Sequence, residues 1–269
     1  MARVAESGLE RLVLIDRGEE QALDLRGVRW MGPLMLVGVA ALAQGVHRRG
    51  QWLHLLDVDD EAKTYAARMG LGVIIERYDG RHCLPRRTRS GSSQTLLELS
   101  QVTRSEDARE WAQLVRARAV GRAGAAAADS LFTGLAEIGE NIVLHSQTEG
   151  FVAAQTYAAT GEIRFAVADT GVGLRATLSA RGARSHIGAL RLALVGTSRF
   201  RDGAHGYGMP TTRDLIERVG GRMLLASGAY AVAIEGGTAT YRRTGFPGTI
   251  FEGSVPAVPP DAGPARRRR

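Results

Sequence analysis

The sequence predicts an α/β fold, and three observations carry the prediction. β-type runs alternate with helical runs in both halves of the chain. Residues 163–168 alternate strictly, with Ile163, Phe165 and Val167 on one side and Arg164, Ala166 and Ala168 on the other. Near residues 126–144, Leu131, Leu135, Ile138 and Ile142 recur at helical spacing and form an apolar stripe that needs a core to face.

Taken in order, Arg11 to Ile15 and Ala22 to Leu25 are short β-type runs, followed by an apolar helix from Leu34 to Val46. Trp52 to Leu56 is a strand. Asp59 to Met69 reads as a helix, because its first turn is acidic and meets the positive end of the helix dipole. Leu71 to Glu76 returns to strand. Between Pro85 and Thr95 the chain turns polar and basic, a linker composition. Two helices are expected next, Leu96 to Val102 and Glu106 to Val120, with a break at Gly121 to Gly124. The long helix from Ala126 to Leu144 precedes strands at Phe151 to Tyr157 and Glu162 to Ala168. Gly208 to Val219 is a helix, with Pro210 tolerated in its first turn and Gly220-Gly221 as its stop. Strands near Arg222 to Ala226 and Thr249 to Glu252 close the fold. The domain reading is therefore a small α/β domain over residues 1–84, a linker and helix over 85–104, an α/β sandwich over 105–255, and a disordered basic tail over 256–269.

Composition narrows the function classes. The chain has 269 residues, 44% of them hydrophobic and 23% charged, an ordinary globular balance. Four of its seven excess positive charges are the terminal run Arg266 to Arg269, which leaves +3 for everything before it. That run reads as a solvated end, so no specific nucleic-acid binding is expected. Cys83 is the single cysteine and has no internal disulfide partner, as in a reducing compartment. No secretion signal is evident at the N-terminus. Met31 to Val46, the most apolar stretch, is shorter than the roughly 20 residues a membrane span needs. The expected location is cytoplasmic, with no membrane association.

Four short elements carry chemistry. Glu137, Asn141 and His145 lie at successive i,i+4 steps on the long helix, so one ligand can reach all three. Asn141 offers a neutral oxygen suited to a magnesium ion that also binds phosphates. Glu137, one turn away, is placed to orient or deprotonate a water or hydroxyl. The plainer alternative is a solvated amphipathic helix face. Asp169 ends a strand and enters Thr170-Gly171-Val172-Gly173. A carboxylate there accepts the exocyclic amine of adenine, and Gly171 and Gly173 let backbone approach the base. Asp-Thr-Gly is also an ordinary turn sequence. Gly206-Tyr207-Gly208 opens a helix, whose first amides make a phosphate site. Gly248-Thr249 opens the last strand, and the Thr249 hydroxyl closes the base side of the pocket. His205 lies beside Gly206.

In this combination the residues resemble the GHKL ATPase superfamily, which includes histidine-kinase catalytic domains and anti-sigma serine kinases. Leu135 to Ser146 looks like its N-box, Asp169 to Gly173 like its first glycine box, Gly206 to Met209 like its second, and Gly248-Thr249 like its terminal pair. The resemblance spans about Glu106 to Val255. It implies an α/β sandwich with ATP between helices and sheet. It also implies magnesium on Asn141, Glu137 as catalytic base or water-orienter, and adenine on Asp169. Residues 174–205 would form a lid over the phosphates, with Arg199 and Arg201 as γ-phosphate candidates. More faintly, Leu23 to Gly32 is similar to the strand-to-helix passage of a STAS domain, the fold of anti-anti-sigma factors. Where those factors carry an acceptor serine, this chain reads Gly32-Pro33-Leu34-Met35, so it has no hydroxyl to phosphorylate there.

The implied function is an ATP- and magnesium-binding regulatory protein acting on a protein partner, with serine/threonine kinase activity as its enzymatic form. The alternative is a non-catalytic switch in which ATP binding alone changes what the chain binds. A self-contained histidine kinase is disfavoured, because the helices expected between Leu96 and Ala136 hold no histidine. Pairing of two chains into a homodimer is compatible with the sequence.

Overall fold

A computed structural model describes residues 8–86, 96–157, 159–195 and 208–256. The protein is α/β, with two sheets. The first contains β1 (Ile15–Arg17), β2 (Glu20–Asp24), β3 (Trp52–Leu56) and β4 (Arg81–His82) in that order, with β1 antiparallel to β2 and the others parallel. Helices α1 (Pro33–His47), α2 (Asp60–Arg68) and α3 (Leu71–Arg77) connect them. The second sheet is antiparallel. Its strands are β5 (Leu96–Val102), β6 (Gly150–Thr156), β7 (Ile163–Asp169), β8 (Arg222–Glu235) and β9 (Thr238–Val255), in the order β5-β6-β7-β9-β8. One face of it carries α4 (Ser105–Ala123), α5 (Ala125–Asn141), α7 (His186–Val195) and α8 (Gly208–Arg218), with the short α6 (Gly173–Thr177) at its edge.

α1 explains how the two sheets stay together. Every residue from Pro33 to Val46 is buried, because the helix is apolar on all sides. On one side it meets Leu23, Leu53 and Leu55 of the first sheet. On the other it meets Phe151, Ala153, Ala166, Ala168 and Ile250, the outer face of the second. Small residues permit the approach: a Cβ on Gly38 would lie 2.3 Å from Leu12 Cδ1, and one on Gly45 would lie 2.6 Å from Thr170 Oγ1. The opposite face of the second sheet, with Val152, Phe165, Val167 and Phe251, packs under α4, α5 and α8. Both faces are covered, so β6 reads as one continuous buried run.

Three expectations are corrected. Leu71 to Glu76, expected as a strand, is helix α3. Leu71, Ile74 and Ile75 are buried while Val73 is exposed, a helical pattern too short to separate from an apolar strand by periodicity. Leu96 to Val102, expected as a helix within the 85–104 linker, is strand β5, paired antiparallel with β6. A bulge between Leu97 and Ser100 lets Leu97 and Leu99, two residues apart, enter the two different cores on opposite sides of the sheet, which breaks the strand alternation. At the N-terminus, Leu9–Arg11 is a 3-10 turn that buries Leu9 and Leu12, and the strand begins only at Ile15. The last two strands are also much longer than expected and form one hairpin. Gly236 and Gly237 turn it, both at positive φ (56° and 74°), as a tight two-residue turn requires.

Filling the α1 contact tests this packing. Gly45→Val should lower stability by about 1–3 kcal/mol in urea denaturation, because the new side chain overpacks against Thr170. Gly121→Ala, where an added Cβ meets nothing within 4 Å, should be neutral or stabilising by up to about 1 kcal/mol.

Candidate functional site

β7 delivers Asp169 to the edge of a cavity of about 350 Å³ between the second sheet and helices α5, α6 and α8. Asn141, His145, Asp169, Gly173, Gly208 and Thr249 line it. Ile142, Val167, Leu174, Leu178, Met209 and Phe251 supply apolar walls. Sequence-distant residues thus meet because the sheet register sets Asp169 opposite Thr249 and because α5 ends over the same strands. α5 finishes in a π turn, Ile142–Ser146, which wraps its end around the cavity mouth. Asn141 and His145 are both exposed to solvent there.

Asp169 is the electrostatic centre of the cavity. Its carboxyl is only 5% exposed. Burial pushes it up to about 6, although the amides of Gly171 (2.8 Å to Oδ1) and Thr249 donate to it and pull the other way. A carboxyl held by two backbone donors at the edge of a cavity presents its remaining acceptor capacity to whatever enters.

The glycines around Asp169 are needed for space. A Cβ on Gly171 would lie 2.0 Å from the Ser146 carbonyl oxygen, and one on Gly248 would lie 2.2 Å from that of Asp169. Gly173 and Gly248 both have positive φ (72° and 97°). Ser227 ties the two loops together, donating to the Gly248 carbonyl at 2.7 Å and accepting from the Leu174 amide at 2.9 Å.

Glu137 and Gly171 stand just behind the cavity wall. Glu137 packs on Gly208, the first residue of α8: a Cβ on that glycine would lie 2.5 Å from Glu137 Cβ and 3.1 Å from Oε2. The carboxylate therefore borders the N-terminus of α8 and reaches the cavity only past Gly208. α5 and α8 are drawn together by Gly134, whose Cβ would collide with Thr212 Oγ1 at 1.9 Å. Gly206, His205, Arg199 and Arg201 lie outside the described residues.

The segment expected as a lid is folded as far as Val195. α6, a 3-10 turn at Ser179–Arg181 and α7 follow one another, with Ala189, Leu190 and Leu194 buried. This segment contributes residues that sequence reasoning missed: Thr177, Leu192 and the cation Arg181 line the cavity. No spacing signal marks them, since Thr177 ends the one-turn helix α6, Arg181 ends a 3-10 turn and Leu192 lies on α7, three short elements whose placement depends on packing.

Among the described residues no group of three His, Cys, Asp or Glu side chains is arranged to hold a metal. Asn141 offers a neutral side-chain oxygen at the mouth, and an ion held by it would have to complete its shell from water and from a bound group. That arrangement suits magnesium, which retains waters and takes few protein ligands. Also among the described residues, no helix is long and apolar enough to cross a membrane. Comparison with known proteins returned no match: no family model fits the chain, and no curated protein or solved structure is significantly similar.

The Asp169 environment has a pH signature. Its folded value, about 6, lies above the ordinary 3.8, so folding favours the protonated form. Its contribution to stability is therefore complete below about pH 4 and is lost as pH rises through about 6. Asp169→Asn has nothing to ionise. Relative to the parent, the variant should gain on the order of 3 kcal/mol between pH 4 and pH 7. Urea midpoints across that range check this, and a pH-independent difference would show a solvated carboxyl.

Proposed function

We propose that the protein binds ATP with magnesium in the Asp169 cavity and acts on a regulatory protein partner as a GHKL-type ATPase or serine/threonine kinase. The observation that carries the reading is the buried Asp169 carboxyl, held by two backbone amides at the rim of a glycine-cornered apolar cavity. An adenine ring fits such walls, and its exocyclic amine supplies the donor that the carboxylate lacks. Guanine, which presents a carbonyl in that position, leaves the carboxylate facing an acceptor. Asn141 at the cavity mouth would hold the magnesium, which neutralises phosphate charge when bound. Gly208 begins α8, whose free amides and positive dipole end favour phosphate. Arg181 is a further cation on the same wall. The reading places the protein in the cytoplasm, where ATP and magnesium are supplied and a lone cysteine stays reduced.

In the kinase form, Glu137 would accept the proton of a partner hydroxyl as its oxygen bonds the γ-phosphorus and the bond to the β-phosphate oxygen breaks. Catalysis would then be mostly positioning and charge neutralisation. The position of Glu137 behind Gly208 favours the second reading, a switch in which ATP binding alters the partner surface and hydrolysis is incidental. Transfer of label from γ-labelled ATP to a partner serine or threonine separates the two.

The site itself is tested by ATP and GTP binding with and without magnesium. Asp169→Asn should abolish the preference for ATP, a loss of about tenfold or more in the ATP/GTP ratio. Asn141→Ala should remove the magnesium-dependent part of the affinity. ATP affinity should also fall as pH drops through about 6, because the protonated carboxyl is a weaker acceptor for the adenine amine than the carboxylate. Unchanged binding in both variants would remove the assignment.

A further inference from the structure

α1 meets the loops that border the Asp169 cavity with two consecutive residues of its last turn. Gln44 is buried, and its Nε2 donates to Glu149 Oε2 at 3.2 Å and to the Tyr78 hydroxyl at 3.3 Å. Gly45 faces Thr170: a Cβ there would lie 2.6 Å from Thr170 Oγ1, 2.9 Å from its Cβ and 3.1 Å from its Cγ2. One turn earlier, the Ala41 carbonyl accepts the Thr170 hydroxyl at 3.2 Å. The first turn of α1 is held as well. There the Leu34 amide donates to Glu252, beside a second, smaller cavity of about 190 Å³ on that face of the larger sheet. Arg164 and Arg222 share Glu162 in its wall and act on Glu252, so that cavity meets its own charges.

Thr170 sits where a displacement matters. It is the central residue of the turn in which the Gly171 amide donates to Asp169 Oδ1 at 2.8 Å. Its backbone has little room on the β9 side, since a Cβ on Gly248 would lie 2.6 Å from Thr170 Cα. The next amide, Val172, donates to the Ser146 carbonyl at 3.2 Å. Ser146 ends the π turn that carries His145, and Glu149, the partner of Gln44, follows three residues later. α1 thus braces both loops, yet neither it nor Thr170 lines the cavity.

We propose that Thr170 is a positioning residue for nucleotide selectivity, through which α1 of the N-terminal unit fixes the Gly171 amide and the Asp169 carboxyl where adenine meets them. This role rests on the adenine reading of the Asp169 cavity. An acceptor discriminates between bases only while its own surroundings hold it in one place. Of the two amides that hold Asp169, the one from Gly171 belongs to the turn that α1 grips. By linkage, a change in how the N-terminal unit seats on the sheet alters the selectivity of the cavity, and a bound nucleotide favours the seated arrangement.

ATP and GTP binding to the full chain, together with residue-resolved amide exchange of Gly171 in the free chain, tests the role. Thr170→Val keeps a β-branched shape against Gly45 and removes the donor, while the Ala41 carbonyl keeps its helical partner. Gly45→Ala acts from the other side and puts a methyl where Thr170 stands. In each, the ATP/GTP affinity ratio should fall about threefold to tenfold, and the Gly171 amide should exchange faster by about the same factor. Thr170→Ser keeps the hydroxyl and should retain most of the ratio. Gly38→Ala adds the same methyl to the same helix, against Leu12 and Ile250, and should leave ratio and exchange at the parent's values. Circular dichroism and urea midpoints establish that the variants are folded. A parent chain with no preference for ATP removes the adenine reading and this role with it. A parent that prefers ATP overturns the role alone if folded Thr170→Val or Gly45→Ala keeps the full ratio, or if Thr170→Ser or Gly38→Ala loses as much of it.

Discussion

The molecule depends on one helix that has no solvent face. α1 fills the space between two sheets that do not hydrogen-bond to each other, and residues of both sheets join a single core around it. Each buried aliphatic side chain of that helix contributes roughly 1.5–3 kcal/mol. Separating the sheets would expose nearly all of them at once. Backbones come close because Gly38, Ala40, Ala41 and Gly45 leave room. The outer face of the larger sheet, made of Phe151, Ala153, Ala166, Ala168 and Ile250, thereby escapes water without a second helical layer of its own.

The same helix reaches the candidate site. Thr170, next to Asp169, donates its hydroxyl to the Ala41 carbonyl at 3.2 Å, and its side chain fills the notch left by Gly45. The loop that positions the buried carboxyl is therefore fixed on one side by α1, on another by the Ser146 carbonyl accepting from Val172 at 3.2 Å, and below by Ser227. A carboxyl raised toward neutral pH requires such an enclosure. If the loop could swing out, water would reach Asp169 and restore its ordinary acidity.

The sequence made some of this legible and hid the rest for identifiable reasons. β7 was readable from its strict alternation, and the stripe from Leu131 to Ile142 placed α5 with its apolar side inward. Of the residues grouped by motif, Asn141, His145, Asp169, Gly173, Gly208 and Thr249 line one cavity, Glu137 and Gly171 stand behind its wall, and Gly206 lies outside the described residues. α3 was misread because seven residues are too few for its one-sided burial to show as a period, and β5 because a bulge splits its leucines between two cores. Arg181 and Thr177 were invisible because they sit on a 3-10 turn and a five-residue helix, too short to carry a period and placed by packing. Glu252 was hidden in another way. In the sequence it alternates with Phe251 and reads as the wet side of a strand, and only the N-terminal unit laid over that face makes it a half-buried acid.

β9 shows how both cavities follow from one strand. Its alternation sends Thr249 and Phe251 to the Asp169 side and Ile250 and Glu252 to the α1 side. The two faces carry one feature in common, a carboxyl lifted by burial toward neutral pH, Asp169 on one and Glu252 on the other. Asp169 accepts two backbone amides and Glu252 one, and Glu252 also lies in the field of Arg164 and Arg222. Desolvating an acid costs stability wherever it happens. Glu252 has part of that cost offset by the fields of Arg164 and Arg222. Asp169 has only two backbone amides and opens on its cavity, where an entering group can supply a further donor.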